Sequence, residues 1–286
     1  MRAADVPELR AELSAFANSP DGASYWEGHA RTVDYYRSID VTGADLARAV
    51  QNSLEGDLFA VTGPMGELAV AAGQSLGLFD MEAQDLPTPT GVLFFEDPPE
   101  LLQGIDGDDL PLIIQGAAWS VGDDGEGGYA WITPIAQMSS DQAIRLGGPR
   151  LLPFSMADEA PAEERERMLF DHLIVTLRAA WLLMQQPLSE ESTLEPDRAT
   201  RKRLRRVGRE PAEVRLIELR RPKGASGQSG GDGDREYHHQ WIVRGHWRQQ
   251  WYPARQVHRP VWIAPHVKGP EGAPLLGGEK VNVLKR

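Results

Sequence analysis

The sequence predicts an α+β fold: a mixed acidic body with a long core helix, then a basic C-terminal β-hairpin region. Three observations predict it. Leu169, Leu173, Leu177, Trp181 and Met184 recur every three or four residues, the period of a helix with one apolar face. Leu112–Val121 and Tyr129–Ile135 read as strands around GDDGEGG, a strong turn signal. The charge also changes sign along the chain. Residues 1–197 hold 10 Lys and Arg against 34 Asp and Glu, whereas residues 198–286 hold 20 against 8. The overall net charge of −12 therefore conceals two oppositely charged parts.

The elements follow in order. Val6–Phe16 is a short amphipathic helix, and Thr42 caps another from Ala44 to Gln51. Between them SYWEGHARTVDYYR, with Tyr25, Trp26, Tyr35 and Tyr36, reads as a packing seam. Gly91–Phe95 is a buried strand, and the hairpin 112–135 follows with a solvated acidic tip. Pro161 opens the core helix, where Glu163, Glu164 and Glu166 favour the positive end of the helix dipole; Pro187 closes it. Asp197 is the N-cap of a short basic helix around which Arg201, Lys202, Arg203, Arg205 and Arg206 are spread. VRLIELRR is a strand. The organisation expected is an acidic body over 1–160, the core helix, basic helix and strand over 161–221, a flexible Gly/Ser linker over 222–236, and a Trp/Arg/His-rich hairpin region over 237–286.

Four of the eight tryptophans and five of the seven histidines fall between His238 and Pro270, and no acid does. Aromatics interleaved with arginines and free of acids form a surface suited to nucleic acid. Alternation puts Trp241, Val243, Trp247 and Trp251 on one strand face and Ile242, Arg244, His246, Arg248 and Tyr252 on the other. A turn over Tyr252–Gln256 returns the chain into Val257–Ile263, giving a hairpin with one apolar and one basic face. Trp181, Trp241, Trp247 and Trp251 are the expected structural core. The expected nucleic-acid contacts are Arg201, Arg203, Arg205, Arg244, His246, Arg248, Arg259 and Lys268.

Other chemistry finds little support. Zero cysteines exclude disulfides, thiolate catalysis and cysteine-ligated metals. GPMGELAVAAGQSLG matches neither a phosphate loop nor a dinucleotide fingerprint, and GxSxG and HExxH are absent. His238 and His239 would point to opposite sides of a strand, so no metal and no cofactor are expected. His246 and His258 are the pair that would serve a ribonuclease as acid and base, because histidine titrates near neutrality. The N-terminus lacks a signal-peptide core, and LIVTLRAAWLLM is interrupted by Arg178 and too short to span a bilayer. A soluble cytoplasmic protein without a membrane partner is expected.

RGHWRQQWYPARQVHRPVWIAPHVKGP resembles the C-terminal segment of uncharacterised proteins from actinobacteria, their phages and plasmids. It is also similar to the end of the type V-A anti-CRISPR family that lowers Cas12a effector levels by triggering loss of its mRNA. Arg244, Gly245, His246 and Trp247 carry the resemblance, followed by a strand with Trp262 and Pro265. Weaker likeness extends upstream through AAWLLMQQP and the arginines near Arg198–Arg203. The resemblance implies a non-enzymatic regulatory or counter-defence protein of a mobile element, acting on mRNA or translating ribosomes. RNA, or a ribosome with its nascent polypeptide, is then the partner, and self-association into a homo-oligomer is left open. The alternatives are a toxin-like ribonuclease using the C-terminal histidines and a DNA-binding module.

Overall fold

The computed structural model describes residues 2–32, 41–77, 81–105, 111–123, 128–137, 151–153, 161–220, 238–270 and 273–276. Tyr35, Tyr36, the tip of the acidic turn and the 222–236 linker lie outside the described residues. The chain divides into two compact units, Met1–Leu219 and Arg220–Arg286.

The fold is α+β. Among the described residues three α-helices open the first unit: α1 (Val6–Ala17), α2 (Pro20–Thr32) and α3 (Gly43–Leu54). As the sequence predicts, Thr42 caps α3. The Asp45 N–H donates to Thr42 Oγ1 at 3.2 Å, and the Thr42 N–H donates back to the Asp45 carboxylate at 3.1 Å, a reciprocal capping box. Then come β1 (Asp57–Val61), α4 (Gly63–Ser75) and β2 (Thr90–Phe95). β1 and β2 are parallel, so α4 is the crossover that parallel pairing requires. β3 (Gln103–Ile105), β4 (Pro111–Asp123), β5 (Gly128–Gln137) and β6 (Leu151–Pro153) extend the sheet in antiparallel fashion.

The core helix is α5 (Pro161–Met184). After it β7 (Ser189–Leu194), α6 (Arg198–Arg206) and β8 (Val214–Leu219) complete the unit. β8 inserts parallel to β1, giving the strand order β6-β5-β4-β2-β1-β8-β7 with β3 beside β4. β1 is thus central and nearly all apolar, as a strand covered on both faces must be.

Two cores follow from strand alternation. Leu58, Ala60, Val92 and Phe94 pack with Leu13, Trp26, Leu46 and Val50 of α1–α3. On the opposite side Phe59 stacks on Trp119 with ring centroids 5.8 Å apart, and Trp119 meets Trp181 of α5 at 5.2 Å. Trp181 is 1% exposed, a core residue as the helical period predicts. The seam residue Trp26 is buried too, with Tyr25 packed edge-on against it.

Among the described residues the second unit contains five strands: β9 (Gln240–Val243), β10 (His246–Tyr252), β11 (Val257–Ile263), β12 (His266–Lys268) and β13 (Leu275–Leu276). β10 and β11 form the predicted hairpin, whose turn residue Gln256 has φ +53°. The expectation of one continuous strand through Trp241 and Trp251 is corrected. The chain breaks at Arg244–Gly245, and β9 joins β12 and β13 in a separate sheet.

Candidate functional site

The basic helix α6 is fixed at both ends by its sequence. At its start the Thr200 N–H donates to the Asp197 carboxylate at 2.7 Å, the predicted N-cap. That hydrogen bond is the main reason the Asp197 pKa falls below its ordinary value. At the other end Gly208 takes φ +72°; its N–H reaches Arg205 O at 3.2 Å, and the Arg209 N–H reaches Leu204 O at 3.0 Å. These two bonds are the Schellman closure, which favours glycine because a Cβ disfavours the left-handed conformation.

Thr200 and Leu204 are buried, and they set the rotation of α6 about its axis. Arg203 leaves toward the body, where it pairs with Glu8 of α1 and donates to Thr200 Oγ1 at 3.0 Å. Hydrogen bonding to Glu8 raises the Arg203 pKa further above its ordinary value. Arg198, Arg201, Lys202, Arg205 and Arg206 then fall on the outward side, at spacings of three and four, and together line one open groove. The expectation that the cations spread around α6 is therefore corrected: five form a stripe and Arg203 stands apart. Of the three α6 contacts expected from sequence, Arg201 and Arg205 are in the stripe. Arg198, Lys202 and Arg206 stand in the same stripe but were not among the expected contacts, although the spacing opposite Leu204 carried the signal.

The stripe is electrostatically costly. Arg198/Lys202, Arg201/Arg205 and Lys202/Arg206 are like charges four residues apart, each worth about 0.2–0.5 kcal/mol of destabilisation. Arg198 and Arg201 also lie at the positive end of the helix dipole, where no acid occupies the first turn. Among the described residues Arg201 has one ionic partner, Glu195 at 3.7 Å, and the other four have none. An anion laid along this face relieves both repulsions.

The hairpin offers a second, mixed face that carries Arg248. Its register pairs Trp247 with Trp262 and Trp251 with His258 on one side. The other side joins His246, Arg248, Gln250 and Tyr252 of β10 to Ile263, Val261, Arg259 and Val257 of β11, with Nε and Nη2 of Arg259 buried. Arg248 donates to Gln250 Oε1 at 2.8 Å along this face. His246 Nδ1 stands 3.1 Å from Arg244 O, in the exposed bend between β9 and β10. Lys268 is exposed on β12 opposite Trp241.

The tryptophans are not equivalent. Trp262 is the buried one at 7% exposure, with Trp247 edge-on at 5.3 Å. Trp241 and Trp247 are half-buried. The expectation that Trp251 belongs to the core is corrected, since it is 43% exposed. It sits beside the turn that closes the hairpin, where its cross-strand partner is the imidazole of His258 instead of an apolar side chain.

His246 and His258 occupy opposite faces and opposite ends of the hairpin. Five register steps separate them along the strands, roughly 17 Å. That separation does not bring two imidazoles to one phosphate. Among the described residues no three His, Asp or Glu side chains are placed to hold a metal ion. No helix among them is long and apolar enough to cross a membrane.

No family model matches the chain, and no curated protein matches it. Among solved structures it is similar to the crystal structure of AcrVA2, an anti-CRISPR protein, at 12% identity and a TM-score of 0.38. That alignment covers 92% of this chain and 98% of the other.

Proposed function

We propose that this chain is a non-enzymatic regulatory protein that binds RNA, of the counter-defence kind carried by mobile elements, acting on mRNA or translating ribosomes. The observation that carries RNA binding is the one-sided stripe of five cations on α6. It stands out in a chain whose first 197 residues are strongly acidic. A compact cationic ridge on an acidic body concentrates attraction for phosphates at one place and repels them elsewhere. The counter-defence role rests on the sequence resemblance at Arg244–Trp247. The separation of His246 and His258 favours holding RNA over cutting it.

The test is affinity for single-stranded RNA as a function of salt. Neutralising about five phosphates predicts a log–log slope near −3.5. Reversing Arg201, Lys202 and Arg205 to Glu should flatten that slope by about 2 and weaken binding at low salt. Unchanged affinity in the triple variant, with the fold intact, would remove the stripe as the binding surface. Action on translation predicts co-sedimentation with polysomes that disappears on puromycin treatment.

A further inference from the structure

The turn end of the hairpin exposes two neighbouring aromatic rings, Trp251 at 43% and Tyr252 at 41%. Successive strand residues point to opposite faces, so the two rings lie on different sides of the same tip. Their surroundings differ. Trp251 is backed by the His258 ring at 4.8 Å and shares its side with Gln249 and Pro260. Tyr252 ends the row His246, Arg248, Gln250, with Val257 across from it, Val261 across from Arg248, and Arg259, whose Nε and Nη2 are buried, across from Gln250. The ring stands on a face whose exposed charge, that of Arg248, is positive and which holds no acid. It suits a ligand that alternates flat π faces with negative charges.

We infer that Tyr252 is a stacking platform for a base of single-stranded RNA whose backbone runs along the Arg248 side of the hairpin. The inference rests on the RNA-binding reading above and specifies the form of nucleic acid. Arg248 and Tyr252 are four residues apart on one face, about 13 Å. A single strand crosses that distance in about two nucleotides, so one base reaches the ring while a nearby phosphate meets the guanidinium. A duplex keeps its bases stacked on each other and offers Tyr252 no free face. Stacking tolerates any base, so the site selects single strands without selecting sequence.

The experiment uses the full-length protein and two oligonucleotides of equal length, a uridine 12-mer and its abasic counterpart. Tyr252→Leu should weaken binding of the base-bearing strand roughly five- to a hundredfold, the range that stacking supplies. It should leave the abasic strand nearly unaffected. Tyr252→Phe should restore binding, because the ring and not the hydroxyl is used. Trp251→Leu, equally exposed on the opposite face, should bind like the parent. Equal affinity of the parent for both strands overturns the inference while leaving RNA binding itself standing. So does a silent Tyr252→Leu, or a loss that follows Trp251 instead. Failure of the parent to bind either strand overturns the RNA-binding reading as well.

Discussion

Gly245 lies against the indole of Trp262 so closely that a Cβ on the glycine would overlap Cζ2 of the ring. The bend from β9 into β10 therefore passes directly over the one tryptophan buried in the second unit. This explains the glycine of the Arg-Gly-His-Trp motif by close approach, and gives the motif a structural task.

Gly245→Ala should destabilise the second unit by about 1–3 kcal/mol, the usual cost of forcing atoms into a packed site. Near-ultraviolet circular dichroism reports the Trp247–Trp262 pair and should lose intensity in step with a lower melting temperature. A spectrum and melting curve identical to the parent would mean that the ring yields without cost.

Trp181 and Trp251 should separate cleanly. Trp181→Ala removes a ring enclosed by Trp119 and the α5 core and should cost about 3–5 kcal/mol in urea unfolding. Trp251→Ala should change stability by less than about 0.5 kcal/mol. Comparable losses at both positions would restore Trp251 to the core.

Lys202→Glu should stabilise the protein while weakening RNA binding. Lys202 has Arg198, Arg205 and Arg206 at helical contact spacing, so reversing its charge turns three repulsions into attractions, a gain of about 1 kcal/mol. The gain should shrink as salt rises. A lower melting temperature would contradict the picture of a self-repelling stripe.

The Asp197 and Asp45 carboxylates are held below their ordinary pKa of 3.8, by the Thr200 N–H and by the Thr42 hydroxyl respectively. A carboxylate whose native pKa is lowered contributes stability that is complete above its unfolded value. The contribution is lost as pH falls through the native value. Stability should thus decline below about pH 4. Asp197→Asn, which keeps an N-cap acceptor, should flatten part of that decline. A melting temperature with the same acid dependence in parent and variant would show that the cap carries no titrating share.

Much of this was legible because it is local. The period of α5, the caps at Thr42 and Asp197, and the turn returning β10 into β11 are each decided by residues close in sequence. The rotation of α6 was equally local but depends on knowing that Leu204, not an arginine, faces the body. The split of β9 from β10 and the exposure of Trp251 were not legible. Both depend on which strand lies opposite: alternation assigns a side chain to a face without saying whether anything covers that face. Arg203 was unreadable as a body contact because its partner Glu8 lies at the other end of the unit's sequence.

β1 acquires its two neighbours at very different moments. β2 follows within one helical crossover, whereas β8 is the last strand of the first unit and arrives only after α5, β7 and α6. A chain emerging from the ribosome thus carries β1 with one side unsatisfied until residues 214–219 appear. Contacts between such distant segments form slowly, because a long loop must close before any pairing rewards it. A product terminated before Val214 keeps that bare apolar edge permanently, a ready template for wrong pairing between chains. Synthesis through Leu219 is therefore a condition for a paired β1 in the acidic unit, even though most of its charge is already in place.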